Sequence, residues 1–350
     1  MPTPSNGDEA TVAAQSAFVL RAVGRSDFGC ARRWHGCYAA AQMICRLLVA
    51  LCVGFGGSVY AMHTVYLVQS DRGEAVGLAA QALVSHLVEK GTAASEIRSV
   101  FADDPELSVL PHEGVRVVVT VGSAALRAVL ARPGRTPVVI ATLVPKHTYE
   151  RELALSPRRG VFSSAALYLD QPIGRQLDLL ALALPKARRV GVVWGEESMS
   201  QQQVFAVTAQ QRGLEPVVGM ATGATALGAA LRTALQDADA FVALPDGQVF
   251  NASTVASVLI TSYRSRVPVL AFSPAWVRSG ALLSLHTSAP QAGTLAASMV
   301  RAYLQSGVLP PSQYPQEFEV TVNDLVARSL GLSLNAADLH ARLRALEKRP

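Results

Sequence analysis

Residues 188–195 read RRVGVVWG, and residues 199–211 read MSQQQVFAVTAQQ. The first stretch is a continuous apolar run of strand length, and the second has a helical pattern. A strand without a polar face is covered on both sides, as in a parallel sheet that lies between helices. The pair therefore predicts one strand–helix unit of an α/β fold.

The same alternation recurs through most of the chain after Ala61. HTVYLVQ (63–69) precedes a helical stretch from about Glu74 to Glu89, and VRVVVTVG (115–122) precedes SAALRAVLA (123–131). Roughly ten such strands are too many for one ordinary open sheet. The pattern therefore predicts two doubly wound parallel-sheet lobes with right-handed crossovers.

An apolar run precedes the first of these strands. RLLVALCVGFGGSVYA (46–61) has a cationic flank, an apolar stretch too short for a comfortable bilayer span, and a small-residue exit at Ala61. These features predict a cleavable secretory signal, with a mature chain that begins at Met62. The alternatives are an uncleaved membrane anchor and a buried helix. We expect Met43 to be the true start, although Met1 remains the other candidate.

Composition excludes several classes of protein. All four cysteines precede Ala61, which excludes a disulfide or thiolate metal site in the exported part. Without the five arginines and three acidic residues before Ala61, the net charge is +3, which gives no basis for a nucleic-acid partner. The chain has no dinucleotide fingerprint, P-loop or nucleophile elbow. We therefore expect no enzyme activity, cofactor or metal.

The carboxyl ends of parallel strands are where open α/β sheets bind ligands. The candidate ligand-binding residues stand at these ends: Ser70, Asp71, Ser123, Thr142, Trp194, Asp246 and Ser273. For any one of the small polar residues, capping the next helix is the stronger interpretation.

Two of these candidates have opposed interpretations. Trp194 ends an apolar strand, where its ring either stacks on a ligand or packs in the core. Asp246 follows Pro245, which ends the strand ladder, and its carboxylate either caps the next helix or accepts a hydrogen bond from a ligand.

Residues 167–195, LYLDQPIGRQLDLLALALPKARRVGVVWG, resemble the ABC-transporter substrate-binding proteins of the type I periplasmic-binding-protein fold. In that family a Gln-x-Leu-x-Leu-Leu helix precedes Leu-Pro-x-Ala-x-Arg-Val-Gly-Val. Residues 237–250, 267–284 and 318–334 also resemble family segments. The resemblance covers about 65–345 and is strongest after Asp170.

The resemblance implies two Rossmann-like lobes that are joined by crossovers and close around a small molecule. The expected organisation is an N-terminal extension and signal (1–61), lobe 1 (62–165, completed by about 286–322), lobe 2 (166–285) and a C-terminal helical segment (323–350). It implies a periplasmic, monomeric solute receptor that delivers a small-molecule ligand to ABC permease and ATPase subunits.

The chain departs from the family pattern in two places. Leu143-Val144-Pro145 replaces a Thr-Asp-Pro-like turn, and residues 284–288 lack the family's tyrosine and aspartate. Because a buried ligand ammonium needs a carboxylate partner, these losses argue against an amino-acid ligand. A basic loop at 146–159 is expected at the rim. The alternative function is an envelope sensor or scaffold with a degenerate cleft, not coupled to transport.

Overall fold

The first sheet contains five parallel strands in the computed structural model, which describes residues 64–109, 114–132, 138–157, 160, 162–222 and 227–348. Its spatial order is β2-β1-β3-β4-β5. The strands are β1 (Val65–Gln69), β2 (Ile97–Phe101), β3 (Val117–Val121), β4 (Val138–Val144) and β5 (Ser164–Tyr168).

The second sheet contains six strands in the order β11-β10-β9-β8-β6-β7. The pairings are parallel except that β11 runs antiparallel to β10 at the edge. The strands are β6 (Arg189–Gly195), β7 (Glu215–Ala221), β8 (Ala240–Val242), β9 (Val269–Ala271), β10 (Leu283–His286) and β11 (Glu319–Val322).

The described α-helices connect successive strands or follow the last one. They are α1 (Glu74–Glu89), α2 (Ser123–Leu130), α3 (Lys146–Leu155), α4 (Ile173–Ala183), α5 (Gln202–Gln210), α6 (Leu227–Leu235), α7 (Val255–Arg264), α8 (Pro274–Ser279), α9 (Ala289–Ser306), α10 (Asp324–Ser329) and α11 (Ala336–Glu347). The expected α/β fold of two doubly wound lobes is confirmed.

Each sheet has a buried apolar cluster on both of its faces. On the first sheet, Leu67 and Val119 pack toward α1 and α9, whereas Val68 and Val118 pack toward α2. Side chains of a strand point alternately to opposite faces, so two covered faces require apolar residues at every position. This requirement explains the unbroken apolar runs in the sequence.

Three crossovers join the lobes, at 169–172, 287–288 and 314–318. Helix α9 returns to lobe 1, where Gly293 packs so tightly on α1 that an added Cβ would lie 2.1 Å from the Ala79 carbonyl oxygen. Gln313 then bridges to β5. The segment at 286–322 does not all belong to lobe 1, however, because β11 pairs with β10 in the second sheet.

Side chains tie the crossovers to one another. Gln171 donates from Nε2 to Thr287 Oγ1 at 2.8 Å, and Arg175 donates to both Gln171 Oε1 and the Pro315 carbonyl oxygen. Arg175 also pairs with Glu347 at the end of α11. We refer to Gln171, Arg175, Thr287, Pro315 and Glu347 as the crossover cluster.

Two further expectations concern the segments outside this core. The basic stretch at 146–159 is not a loop throughout, because residues Lys146–Leu155 form α3 with His147, Thr148 and Tyr149 buried. The predicted signal with its exit at Ala61, the alternative anchor and the Met43 start all lie outside the described residues.

Candidate functional site

A cavity of about 460 Å³ lies between the strand ends of the two lobes. Its volume is within the range of small-molecule sites. The walls come from both lobes and the first crossover: Ser123, Arg127, Leu143, Pro145, Thr148, Leu169, Glu197, Pro245, Asp246, Gly247, Gln248, Phe250 and Phe272. Another hollow of about 380 Å³ lies beside α7 and α10. Position at the strand ends favours the first cavity as the site.

Leu143 shapes the lobe 1 wall through its backbone. Its φ is 54°, a left-handed conformation that is costly for a leucine, and the register of β4 with β5 shifts between Thr142 and Val144. Pro145 follows and leads into α3. The distortion ends the strand at the cavity and places the first turn of α3, with Thr148, along the wall.

The two predicted serines of lobe 1 have different surroundings. Ser70 Oγ accepts a 2.9 Å hydrogen bond from the Ala125 amide, so it caps α2 from the neighbouring strand. Ser123 is the first residue of α2 and follows the N-cap residue Gly122, which has a φ of 93°. Ser123 lines the cavity, and its hydroxyl has no hydrogen-bond partner within the described chain.

Three other predicted residues do not line this cavity. Thr142 is fully buried, and its Oγ1 has no hydrogen-bond partner within the described chain. Asp71 is exposed and accepts a 2.7 Å hydrogen bond from the Gly73 amide. Ser273 precedes α8 and makes no side-chain cap.

Trp194 lies in the core of lobe 2. It is 0% exposed and packs edge-on against Phe205 with 5.6 Å between ring centroids. Its indole N–H has no partner within the described chain. The structure thus places Trp194 where the core interpretation puts it. Its ring does not line the cavity.

Asp246 is at the cavity, but its carboxylate is engaged by protein donors. Oδ1 accepts from the amides of Gln248 and Val249 at 2.9 and 3.1 Å. Oδ2 accepts from the amide and the hydroxyl of Ser198 at 3.2 and 2.6 Å. Because a carboxylate offers about four acceptor positions, these four bonds leave no free one for a ligand.

Direct side-chain contacts cross from lobe 1 to lobe 2 beside the cavity. Arg151 on α3 donates to Glu197 Oε1 at 2.5 Å. Gln201 Nε2 lies 3.0 Å from His147 Nδ1. Burial lowers the pKa of His147 below its ordinary value of 6.5, and Asp246 and Glu197 oppose that effect.

Asp170, in the first crossover, is a buried acid. Its Oδ1 accepts a 2.9 Å hydrogen bond from the Lys146 amide. Burial raises the pKa of Asp170 to about 6, although the backbone hydrogen bonds and the Lys146 charge act in the other direction.

The strand-end rule located this site only in part. Of the seven predicted residues, the cavity brings together Ser123 and Asp246. It adds Arg127, Thr148, Glu197, Gln248, Phe250 and Phe272, which sequence reasoning did not select. These residues lie beyond the strand ends, in the loops and helices that follow. Their proximity in sequence to a strand end is the one sequence feature that could have indicated a place in the site.

Metal binding and membrane crossing have no structural support in the described part of the chain. Within it, no group of three or more His, Cys, Asp or Glu residues could hold a metal ion. No described helix is both long and apolar enough to span a membrane.

Comparison with known families identifies the chain. Residues 106–340 match the family model described as ABC transporter substrate binding protein. The chain belongs to this family. A comparison with curated proteins finds no match.

Solved structures of low sequence identity share the fold of type I periplasmic binding proteins. A conserved domain protein from Vibrio cholerae is 21% identical, with a TM-score of 0.56 over 79% of this chain and 97% of the other. A Streptococcus pneumoniae ABC domain in complex with L-Trp is 18% identical, with a TM-score of 0.56 over 79% and 98%. A ligand-free, open substrate-binding protein with adhesive properties from Clostridium difficile is 16% identical, with a TM-score of 0.59 over 78% and 96%.

Proposed function

We propose that this protein is the periplasmic solute-binding component of an ABC importer and captures a small molecule by hinge closure. The observation that carries the proposal is the cavity of about 460 Å³ whose walls come from both lobes. A ligand held there contacts lobe 1 and lobe 2 at once and therefore favours the closed arrangement over an open one.

The cavity also restricts the chemistry of the ligand. The hydroxyls of Ser123 and Thr148 are without hydrogen-bond partners in the described chain, whereas Asp246 is saturated. Phe250 and Phe272 form an apolar part of the wall. A ligand with hydrogen-bonding groups at one end and an apolar face at the other fits this arrangement.

Family membership supports the remaining parts of the proposal. Proteins of this family usually work outside the cytoplasm and bind ligands without transforming them. The proposed partners are the permease and ATPase subunits that such a receptor serves, and the receptor itself is a monomer. Export through a signal cleaved near Ala61 would deliver it to the periplasm.

Native mass spectrometry of the purified full-length chain tests ligand capture. We expect a bound small molecule that dissociates at high collision energy. The double variant Ser123→Ala/Thr148→Val should lose that mass. The control Thr233→Val changes an exposed threonine on α6 and should keep it.

Two results would contradict the proposal. One is a ligand retained at wild-type occupancy by the double variant, which would place binding elsewhere. The other is no bound mass together with no thermal stabilisation by any compound of a broad metabolite panel, which would favour the sensor or scaffold alternative.

A further inference from the structure

The contacts that join the lobes form a compact group. On lobe 1, α3 provides His147 and Arg151. On lobe 2, the segment at 196–201 provides Glu197 and Gln201. We call these four residues the latch. The Arg151 and Glu197 side chains are 32% and 16% exposed, so their ion pair is partly shielded from water.

Lobe 2 holds its half of the latch rigidly. Asp246 Oδ2 accepts from both the amide and the hydroxyl of Ser198, and Ser198 Oγ in turn accepts from the Gly195 amide at 3.1 Å. Ser198 lies between Glu197 and Gln201. Asp246 therefore acts as a positioning residue that orients the segment carrying both latch partners.

His147 is the member of the latch that we expect to respond to pH. It is 4% exposed, and its Nε2 has no hydrogen-bond partner in the described chain. As the Gln201 amide is oriented, Gln201 donates to Nδ1, which must then be the unprotonated nitrogen of a neutral ring. Three charged groups act on this ring: Asp246, Glu197 and Arg151.

We propose that the latch holds the two lobes closed and releases them when His147 takes up a proton. A protonated ring has no acceptor left for the Gln201 N–H, and the closed arrangement buries its charge. Opening exposes the ring to water. The inference rests on the proposed closure of the cleft, but its test needs no ligand, so its failure is separate from a failure of ligand binding.

The direction of the effect follows from proton linkage. The closed state binds the proton more weakly than an open state in which His147 has its ordinary pKa of 6.5. Opening therefore takes up a proton and is favoured as the pH falls below 6.5. If the closed-state ring stays neutral, the ratio of closed to open molecules drops by about tenfold between pH 7.5 and pH 5.5.

The pKa of His147 in the full-length chain provides the first test. Titration of the seven imidazoles by NMR, with His147→Gln used for assignment, should give a pKa below 6.5. Gly247→Trp should wedge the cleft open without changing charge, since Gly247 lines the cavity and its nearest neighbour would be Glu197 Oε2 at 4.0 Å. In that variant the pKa should return to about 6.5.

Gly77→Trp is the matched control, because Gly77 is on the exposed side of α1 and has nothing within 4 Å of an added Cβ. It should leave the His147 pKa unchanged. Two outcomes would overturn the proposal. A wild-type pKa at or above 6.5 would show that closure does not disfavour the protonated ring, and a pKa that stays low in Gly247→Trp would show that the low value does not depend on closure.

Small-angle scattering of the full-length chain provides a second, independent test. The radius of gyration should rise between pH 7.5 and pH 5.5 and approach that of Gly247→Trp. His147→Gln, which cannot take up the proton, should show no such rise. A radius that does not change with pH in the wild type, or that rises equally in His147→Gln, would overturn the proposal.

Discussion

Lobe 2 and the first crossover each contain a buried aspartate, and the two aspartates are satisfied to different degrees. Asp246 of lobe 2 accepts four hydrogen bonds from amides and a hydroxyl. Asp170, in the first crossover, accepts from backbone amides only, and burial raises its pKa to about 6. Burial of a charge is costly unless hydrogen-bond donors surround it, and Asp170 has fewer donors than Asp246.

The same contrast holds for the uncharged groups. On lobe 1, the Thr142 hydroxyl is buried without a partner in the described chain, and Ser123 and Thr148 present theirs to the cavity. On lobe 2, Ser198 both donates and accepts. The Ser198 hydroxyl is thus engaged within lobe 2, whereas the hydroxyls of Ser123 and Thr148 on lobe 1 have no partner within the described chain.

The largest expected effect comes from truncating Trp194 in the core of lobe 2. Trp194→Ala should lower the free energy of unfolding by about 3–5 kcal/mol, because it leaves a large cavity against Phe205. Urea denaturation measures the loss. The control Trp194→Phe keeps an aromatic ring and should cost about 1 kcal/mol. Unchanged stability with loss of the bound small molecule would instead assign Trp194 to the site.

A smaller effect is expected from Asp246→Ala, which removes the shared acceptor of Ser198, Gln248 and Val249. Because buried donors lose their partner, we expect a loss on the order of 3 kcal/mol in the free energy of unfolding. The control is Asp71→Ala at the lobe 1 edge, where one exposed hydrogen bond is lost and the change should stay below about 0.5 kcal/mol. Equal losses of stability in the two variants would contradict the different roles assigned to Asp246 and Asp71.

Asp170→Asn should act in the opposite direction and stabilise the protein at pH 7.5. The folded state binds the Asp170 proton more tightly than the unfolded state does, with a pKa of about 6 against 3.8, so the wild type loses stability as the pH rises between these values. Asparagine avoids this loss and should gain on the order of 2 kcal/mol at pH 7.5. Denaturant titrations at pH 7.5, 5.5 and 4.5 should show that the gain in the free energy of unfolding becomes smaller as the pH falls.

An exposed aspartate, Asp103, provides the control for the Asp170 variant. The side-chain hydrogen bond from Arg72 lowers the pKa of the exposed Asp103. Asp103→Asn should therefore give no gain at pH 7.5. A gain in both variants would point to a general effect of net charge, not to the burial of Asp170.

The smallest effects distinguish the two serines at the lobe 1 edge. Ser70→Ala removes the acceptor of the Ala125 amide and should cost about 1 kcal/mol. Ser123→Ala removes a hydroxyl without a protein partner and should change stability by less than about 0.5 kcal/mol. Thermal unfolding of the two variants side by side checks the difference, and the reverse order would make Ser123 the cap.

Sequence predicted the fold where burial leaves a local signature. The helix at Glu74–Glu89 and the apolar strands followed from patterns within a few residues. Strand β2 was missed because it is an edge strand with exposed Arg98 and Ser99 and has no apolar run. The assignment of β11 to lobe 1 was wrong because antiparallel pairing with β10 depends on residues far apart in the chain.

The site was less predictable for a related reason. A strand end locates a cavity edge, but it does not say whether a buried side chain points to the core or to the cavity. Trp194 and Asp246 illustrate this limit, since each residue type serves both uses. His147 and Arg151 were taken as part of a basic rim, because nothing in their own segment indicates that Glu197 and Gln201 face them.

The crossover cluster has a consequence for the order of events during synthesis. Arg175 and Glu347 are paired although 172 residues separate them in the chain. Each lobe has its own core, and domains generally fold as units from the N-terminus while the chain is still emerging. Leu339 and Leu343 of α11 also belong to the buried core of lobe 2, so this core and the crossover cluster are both completed only after α11 has left the ribosome.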